Sequence, residues 1–128
     1  MRAYTVAAVA VSLKVPAKWI DNALSHHAVP GVTQARQGIA RRLSPQAVTI
    51  LEIALQLVRS AGLPLGRALE IGHKIMQTGT SETAEVRLQI SKSIAIIVDS
   101  SALRADTSAR LAEAVEIAPR PRRGRPPR

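Results

Sequence analysis

The chain has 128 residues and a mass of 13.7 kDa, which fits one compact domain with a short tail. It contains no Cys, which excludes disulfides, thiolate metal sites and cysteine nucleophiles, and no Phe, so its core must be aliphatic. The net charge of +9 is concentrated at the two ends: residues 1–42 carry +5, residues 43–118 carry −1 and residues 119–128 carry +5. Two separate basic ends indicate two contacts with a polyanion; a solvated basic surface that aids solubility is the alternative.

The first segment predicts a short helix that Thr5 can cap, because its apolar residues Val6, Val9, Ala10 and Leu13 recur at helical spacing. A turn at Lys14–Val15 follows, and Pro16 then opens a second helix, where its missing N–H costs nothing. Ile20 and Leu24 form the buried side of this second helix. Its outward residues are Lys18, Asp21, Asn22 and Ser25. Two short helices joined by a tight turn, with a polar face on the second, form a helix-turn-helix layout.

Residues 29–43 predict a small hairpin, or wing, because Pro30, Gly31 and Gly38 punctuate short β-capable pieces. The hairpin carries Arg36, Arg41 and Arg42. Three arginines on so short an element cannot be core residues, and a solvated loop is the alternative reading.

Ser44-Pro45 predicts a cap and a first helical residue, and this helix runs to about Ala61 with Gly62 as its stop. The helix is apolar around most of its circumference and must be covered on more than one side, which predicts a subunit interface. Another helix starts at residues 63–65 and ends at Gly79.

Residues 85–99 change to an alternating pattern and predict one or two strands, most simply a hairpin. A last helix is expected at about 102–118, capped within residues 99–101, with Leu103, Leu111, Val115 and Ala118 inward. The sequence thus divides into residues 1–79, residues 80–118 for dimerisation or partner docking, and a tail. The fold class predicted is mainly α.

The tail at residues 119–128 is low in complexity and is expected to be disordered when free, because it contains only Pro, Arg and Gly. Its core, Arg123-Gly124-Arg125-Pro126, resembles an AT-hook. The narrow, negative minor groove of A·T-rich DNA accepts an extended backbone centred on Gly, with an Arg on either side. A generic basic tail that binds any nucleic acid is the alternative. Its candidate DNA contacts are Arg120, Arg122, Arg123, Gly124, Arg125 and Arg128.

The front half resembles the start of a MerR-type winged helix-turn-helix domain. The resemblance covers about residues 3–76 and rests on Tyr4-Thr5-Val6, on the wing ending in Arg41-Arg42-Leu43-Ser44, and on the helix ending at residues 60–65. It implies a domain of about four helices whose second helix enters the major groove while the wing clasps the neighbouring backbone. It also implies a homodimer on paired half-sites, with Arg41 matching the family's phosphate-contacting wing arginine.

Candidate DNA contacts in the front half follow from the exposed positions of the second helix, its flanks and the wing. Lys18 would contact phosphate, and the Asn22 amide could pair with adenine. Asp21 stands where the resemblance leads us to expect Arg, and an acid facing DNA is repulsive. Trp19 is either a core residue or stacks at the DNA surface. The further candidates are Lys14, Ser25, His26, Arg36, Arg41 and Arg42.

Other classes of function find no support in the sequence. Nothing resembles a catalytic acid–base pair, a phosphate-binding Gly loop or a hydrolase triad, so no enzyme, cofactor or metal is expected. His26 and His27 cannot share a helix face, and His73 lies far away in the chain. Glu52 and Glu70 are expected on solvated faces or in intrahelical pairs. Neither a membrane span nor a large ligand pocket is expected, and the predicted location is the cytoplasm, in association with the nucleoid.

The function predicted is a sequence-specific DNA-binding transcriptional regulator that combines a winged helix-turn-helix in the major groove with a minor-groove tail. One alternative is the antitoxin of a toxin–antitoxin pair, which would repress its own operon and neutralise a toxin through residues 80–118. A second alternative is an architectural or phage recombination protein that bends DNA.

Overall fold

The structure is a computed structural model that describes residues 3–34, 39–78 and 85–117 of the chain. Over these residues the protein is mainly helical, with five helices and two small sheets, so the predicted helical class is confirmed. The elements in chain order are β1 (Tyr4–Thr5), α1 (Val6–Leu13), α2 (Ala17–His26), β2 (Val32–Thr33), β3 (Arg42–Leu43), α3 (Pro45–Ala61), α4 (Leu65–Thr78), β4 (Glu85–Gln89), β5 (Ala95–Asp99) and α5 (Ser100–Ile117).

The first two helices are joined by a three-residue turn. The Thr5 hydroxyl accepts a hydrogen bond from the Ala8 N–H at 3.1 Å and caps α1, as predicted. Lys14 then adopts a left-handed conformation with φ 58°, and the chain reverses direction within two residues. Pro16 is the extended residue before α2, with ψ 145°, and not its first helical residue as predicted. The tight turn fixes α2 against α1.

The predicted hairpin is present at its base. Strand β3 is the central strand of a three-stranded antiparallel sheet and pairs with both β1 and β2. Gly31 precedes β2 with φ 88°, and its carbonyl accepts from the Ser44 N–H at 2.8 Å. Arg36 and Gly38 lie at residues 35–38, outside the described part of the chain. The sheet links the first residues of the chain to the start of α3.

Helix α3 is the centre of the core. Its caps are confirmed, since the Ser44 hydroxyl accepts from the Ala47 N–H at 3.2 Å and Gly62 is left-handed at φ 67°. Every residue from 47 to 55 is buried, covered by α4, α5 and β3 of the same chain. The predicted need for a subunit interface therefore does not apply to this half of the helix. Leu57 and Val58, further along, are only partly buried.

The C-terminal segment forms the predicted antiparallel hairpin, β4 with β5, and then α5. The Asp99 carboxylate accepts from the Ala102 N–H at 2.9 Å at the start of α5, as expected of a cap. The inward face of α5 was predicted only in part. Leu111 is buried and Leu103 half-buried, but Val115 is 41% exposed, and Ala118 lies outside the described residues. The actual stripe includes the buried Ser100 and Thr107, polar residues that an apolar pattern passes over.

Arg110 connects α5 to α1 and α3. Its Nη1 donates to the Ser12 carbonyl at 3.2 Å, and its Nη2 lies 3.1 Å from the Glu52 carboxylate and 2.9 Å from that of Asp106. Glu52 is buried, so the expectation of a solvated face was wrong for it, but its carboxylate does form an intrahelical pair, accepting from the Gln56 amide at 3.0 Å in addition to its contact with Arg110 of the distant helix α5. Glu70 does form an intrahelical pair, with Arg67 at 3.1 Å.

Candidate nucleic-acid interface

One side of α2 is polar and faces solvent. Lys18, Asn22, Ser25 and His26 are all exposed, while Ile20 and Ala23 are buried on the other side of the same helix. The separation follows from the sequence, because residues three or four positions apart share a helix face. An α-helix with its side chains is about 10–12 Å in diameter, and the DNA major groove is about 12 Å wide, so α2 can lie in it.

Asp21 and Ser25 on α2 hold the hairpin in place through Arg41. The Arg41 Nη1 lies 3.2 Å from the Asp21 carboxylate, and its Nη2 donates to the Ser25 hydroxyl at 3.1 Å. The Ser25 hydroxyl in turn donates to the Asp21 carbonyl at 2.7 Å. The acid that conflicted with DNA binding is thus paired with an arginine. Sequence reasoning missed this pairing, although the i, i+4 spacing of an acid and a hydroxyl beside a basic hairpin was visible.

The remaining basic candidates lie in the turn before α2 and on the hairpin. Arg42 is exposed on β3, between Thr5 of β1 and Thr33 of β2, and Lys14 is exposed in the turn before α2. Neither makes a side-chain hydrogen bond to any residue in the described ranges. With Lys18 and Arg41 they place four cationic side chains here against the single carboxylate of Asp21. The surface is therefore positive over its described part, and it combines cationic groups with a neutral amide.

Trp19 is half-buried and packs against the core, which agrees with the core alternative while leaving part of the indole exposed. It lies on α2 beside the polar face. Packing against the core accounts for the presence of a large aromatic ring in a chain that has only two aromatic residues.

The structure gives no account of the other predicted contacts. Arg36 and the tail residues Arg120, Arg122, Arg123, Gly124, Arg125 and Arg128 lie outside the described ranges. The hairpin adds two polar candidates that the sequence did not single out, Thr33 and Gln34. Both are exposed, and the Gln34 amide donates to the Ile39 carbonyl at 2.8 Å across the hairpin loop.

The three histidines line one cavity of about 290 Å³, together with Glu70. His73 is far from the other two histidines in the sequence but lines the same cavity, because the start of α4 lies beside the end of α2. His27 lies over Gly66, where a Cβ atom would come within 3.1 Å of the imidazole. Within residues 3–34, 39–78 and 85–117, no cluster of His, Cys, Asp or Glu has the arrangement of a metal site.

No helix in the described ranges is both long and apolar enough to cross a lipid bilayer. No protein-family model matches the chain. No curated protein sequence matches it either.

Proposed function

We propose that this protein is a sequence-specific DNA-binding transcriptional regulator of the winged helix-turn-helix kind. Helix α2 would lie in the major groove, and the β2–β3 hairpin would lie against the neighbouring backbone. The observation that carries the proposal is the exposed face of α2, where Lys18 and Asn22 lie on the helix to which Arg41 of the hairpin is joined through Asp21. Such a regulator would act in the cytoplasm in association with the nucleoid.

Each side chain has a distinct role in this proposal. The Asn22 amide, which offers both a donor and an acceptor, would read a base edge such as that of adenine. Lys14, Lys18 and Arg42 would contact phosphates and set the register of the helix on the duplex. Arg41 is first a positioning residue, because it holds the hairpin against α2 and offsets the charge of Asp21. A guanidinium has five N–H donors, so Arg41 can also reach a phosphate.

The first experiment selects bound sequences from a randomised duplex library with the full chain, and then titrates the selected site. Asn22→Ala should relax the preference at one base pair, at a cost of about 1–3 kcal/mol. Lys18→Ala and Arg42→Ala should each weaken binding to all sequences and lower the salt slope by about one unit. Lys74→Ala, which removes an exposed charge on α4, is the matched control. If the full chain shows no preference for duplex DNA over heparin in physiological buffer, the proposal is wrong.

The tail is the second contact in this proposal. A tethered minor-groove contact raises the apparent affinity through effective concentration, without a larger folded interface. If the tail neutralises ~3–5 phosphates, the chain of residues 1–118 should have a salt slope roughly 3–4 units smaller than that of residues 1–128. A generic basic tail would give the same slope change on A·T-rich and G·C-rich duplexes, whereas a hook would favour the A·T-rich one. An unchanged slope would remove the tail from the mechanism.

The oligomer proposed is a homodimer on paired half-sites. Two such helices would contact half-sites about 34–36 Å apart if they follow the usual spacing of one helical turn. A footprint on the selected DNA measures this spacing directly. Protection of a single half-site by a monomer would contradict it.

A second candidate function is that of an antitoxin that represses its own operon and covers a toxin with residues 80–118. An apolar groove of about 470 Å³ favours it, formed by α3, β5 and α5 and including Leu57, Ile96 and Leu103. Ile97 at its edge is 60% exposed. Co-purification of the product of a neighbouring gene would support this candidate. A chain that purifies as a free homodimer would favour the regulator.

A further inference from the structure

A second cavity of about 480 Å³ lies between β1, the first turns of α3, the end of α4 and the middle of α5. None of its described lining residues comes from α2 or from the β2–β3 hairpin, so the cavity is separate from the surface proposed to contact DNA. Its size falls in the range of about 300–1,000 Å³ that is common for small-molecule pockets. The sequence predicted no such pocket, because its walls come from four parts of the chain.

Thr107 gives this cavity a polar group without a partner. The residue is 2% exposed, lines the cavity, and its hydroxyl has no hydrogen-bond partner among the residues that the structure describes. Burying a hydroxyl in this state is unfavourable, and buried polar groups nearly always have a partner. Ser12 also has a buried hydroxyl without a partner among the described residues, but it is not part of the lining of this cavity. Thr107 is the one of the two that a bound molecule could satisfy.

The electrostatics of the wall favour an anion. Among the described residues of the lining, Arg104 is the one charged residue, and none of these residues carries a carboxylate. The Arg104 Nη2 lies 4.0 Å from the Met76 sulfur, so the guanidinium stands next to an apolar part of the wall. Pro45 and Gln46, in the first turn of the 17-residue helix α3, also line the cavity. The start of a helix is the positive end of its dipole, which adds to the charge of Arg104.

The rest of the lining is mixed. Met76 and Leu111 supply apolar surface, while the Thr49 hydroxyl donates to the Pro45 carbonyl at 3.0 Å and keeps its acceptor capacity. A ligand suited to these walls has one anionic end and a compact hydrocarbon body. An inorganic ion would leave the apolar surface unfilled, and a neutral hydrocarbon would leave Thr107 without a partner.

We propose that this cavity binds a small organic monocarboxylate. The carboxylate accepts a hydrogen bond from the Thr107 hydroxyl and faces Arg104, and the hydrocarbon part packs on Met76 and Leu111. The proposal does not depend on DNA binding, so either one can fail without the other.

The chain provides its own probe for the test, since its two methionines are Met1 and Met76. Full-length protein labelled with ¹³C at the methionine methyl groups gives one resonance from the cavity and one reference. The ligands are benzoate and hexanoate at neutral pH, each paired with its uncharged amide, benzamide or hexanamide. We expect saturable shifts of the Met76 resonance with at least one carboxylate, no shift of Met1, and amide affinities lower by about tenfold or more.

Two variants complete the design. Thr107→Val keeps the shape of the side chain but removes its hydroxyl, and it should weaken carboxylate binding by about tenfold. Its melting temperature should not fall, because the lost hydroxyl has no partner, and this measurement confirms that the variant folds. Ser12→Ala removes a buried hydroxyl that is not part of the lining of this cavity, and it should leave binding unchanged. The proposal is overturned if neither carboxylate shifts Met76, if the amides bind equally well, or if Thr107→Val binds like the wild type.

Discussion

Residues 3–78 and residues 85–117 are attached to the common core in different ways. In the first region, α3 and α4 pack so closely that a Cβ on Gly72 would lie 3.0 Å from the Ile50 carbonyl oxygen. The second region contributes few large buried apolar side chains, chiefly Val86 and Leu111, and is fastened by the polar contacts of Arg110. The first region, called the front below, is therefore held by fully buried aliphatic side chains. The second region, called the back, combines the packing of α5 on α1 and partly buried apolar side chains such as Leu88 and Val98 with the polar contacts of Arg110.

The two regions also differ in the apolar surface that they leave exposed. Of the five exposed large apolar side chains in the described ranges, Ile39 lies in the first region and the others in the second, namely Ile94, Ile97, Val115 and Ile117. A region that keeps apolar side chains outside is suited to contact another molecule. The exposed face of α2 in the front is thus charged and polar, while the back leaves hydrocarbon exposed.

The largest expected effect comes from breaking the polar attachment of the back. Arg110→Met leaves the carboxylate of Glu52, whose side chain is 9% exposed, without its cation. We expect a loss of about 3–4 kcal/mol in the free energy of unfolding, because a buried charge loses its compensation. Urea denaturation followed by circular dichroism measures it.

Two comparisons sharpen this result. Arg67→Met breaks the exposed Arg67–Glu70 pair on α4 and should cost less than about 1 kcal/mol. Adding Glu52→Met to Arg110→Met should recover much of the loss, because the uncompensated charge is then removed. Equal losses for Arg67→Met and Arg110→Met would show that the buried Arg110–Glu52 pair contributes no more to the free energy of unfolding than an exposed pair does.

The next effect tests the front. Gly31→Ala forces an alanine to φ 88° and places its Cβ on the Ser44 hydroxyl that caps α3. We expect a loss of about 2–3 kcal/mol, from backbone strain and a disturbed cap together. Gly62→Ala is the control, since Gly62 is also left-handed but its Cβ would meet open space, and it should cost only about 1 kcal/mol. Thermal denaturation of both variants measures how much more stability Gly31→Ala loses than Gly62→Ala, and this difference is the contribution of the disturbed cap.

A smaller effect separates stability from binding in the front. Asp21→Asn removes the carboxylate beside Arg41 and should change the free energy of unfolding by less than about 1 kcal/mol, because the pair is partly exposed. Binding to duplex DNA should become stronger, with a salt slope larger by up to about one unit, since Arg41 becomes available to phosphate. Glu70→Gln makes the same charge change on α4. If both variants strengthen DNA binding equally, the effect comes from the net charge alone and gives no support to a DNA contact at α2.

The smallest effect on folding is expected at the apolar edge of the back. Ile97→Ser should change the free energy of unfolding by less than about 0.5 kcal/mol, because the side chain is already mostly in water. If a second copy covers this edge, the dissociation constant of the dimer should rise by about tenfold, measured by sedimentation equilibrium. Ile117→Ser, at the exposed end of α5, should leave it unchanged. The same dissociation constant for Ile97→Ser and the wild type would place the dimer interface elsewhere.

The features that were predictable from the sequence are local ones. The caps at Thr5, Ser44 and Gly62 depend on residues within one turn of each other, and the β4–β5 hairpin on a period-two pattern, so a single stretch of sequence contains the information. The predicted start of α2 was one residue too early, because Pro16 suits both the cap and the first helical position.

The features that were missed depend on partners far apart in the sequence. Glu52 reads as part of a polar stripe on α3 until its contact with Arg110 is seen. Thr107 reads as a surface residue of α5, yet it is buried in the folded chain. The candidate interface was predictable only in part. The exposed positions of α2 followed from helical spacing, but the pairing of Asp21 with Arg41 required the position of the hairpin.

The Glu52–Arg110 bridge has a consequence for how such chains can diverge. The buried acid at position 52 is compensated by the cation at position 110 and by one neutral donor, the Gln56 amide, and the arginine is held by Glu52 and by the Ser12 carbonyl. Among related sequences, these two positions should therefore covary, either as an acid with a base or as two uncharged residues. Relatives that lack the last helix should have a neutral side chain at position 52.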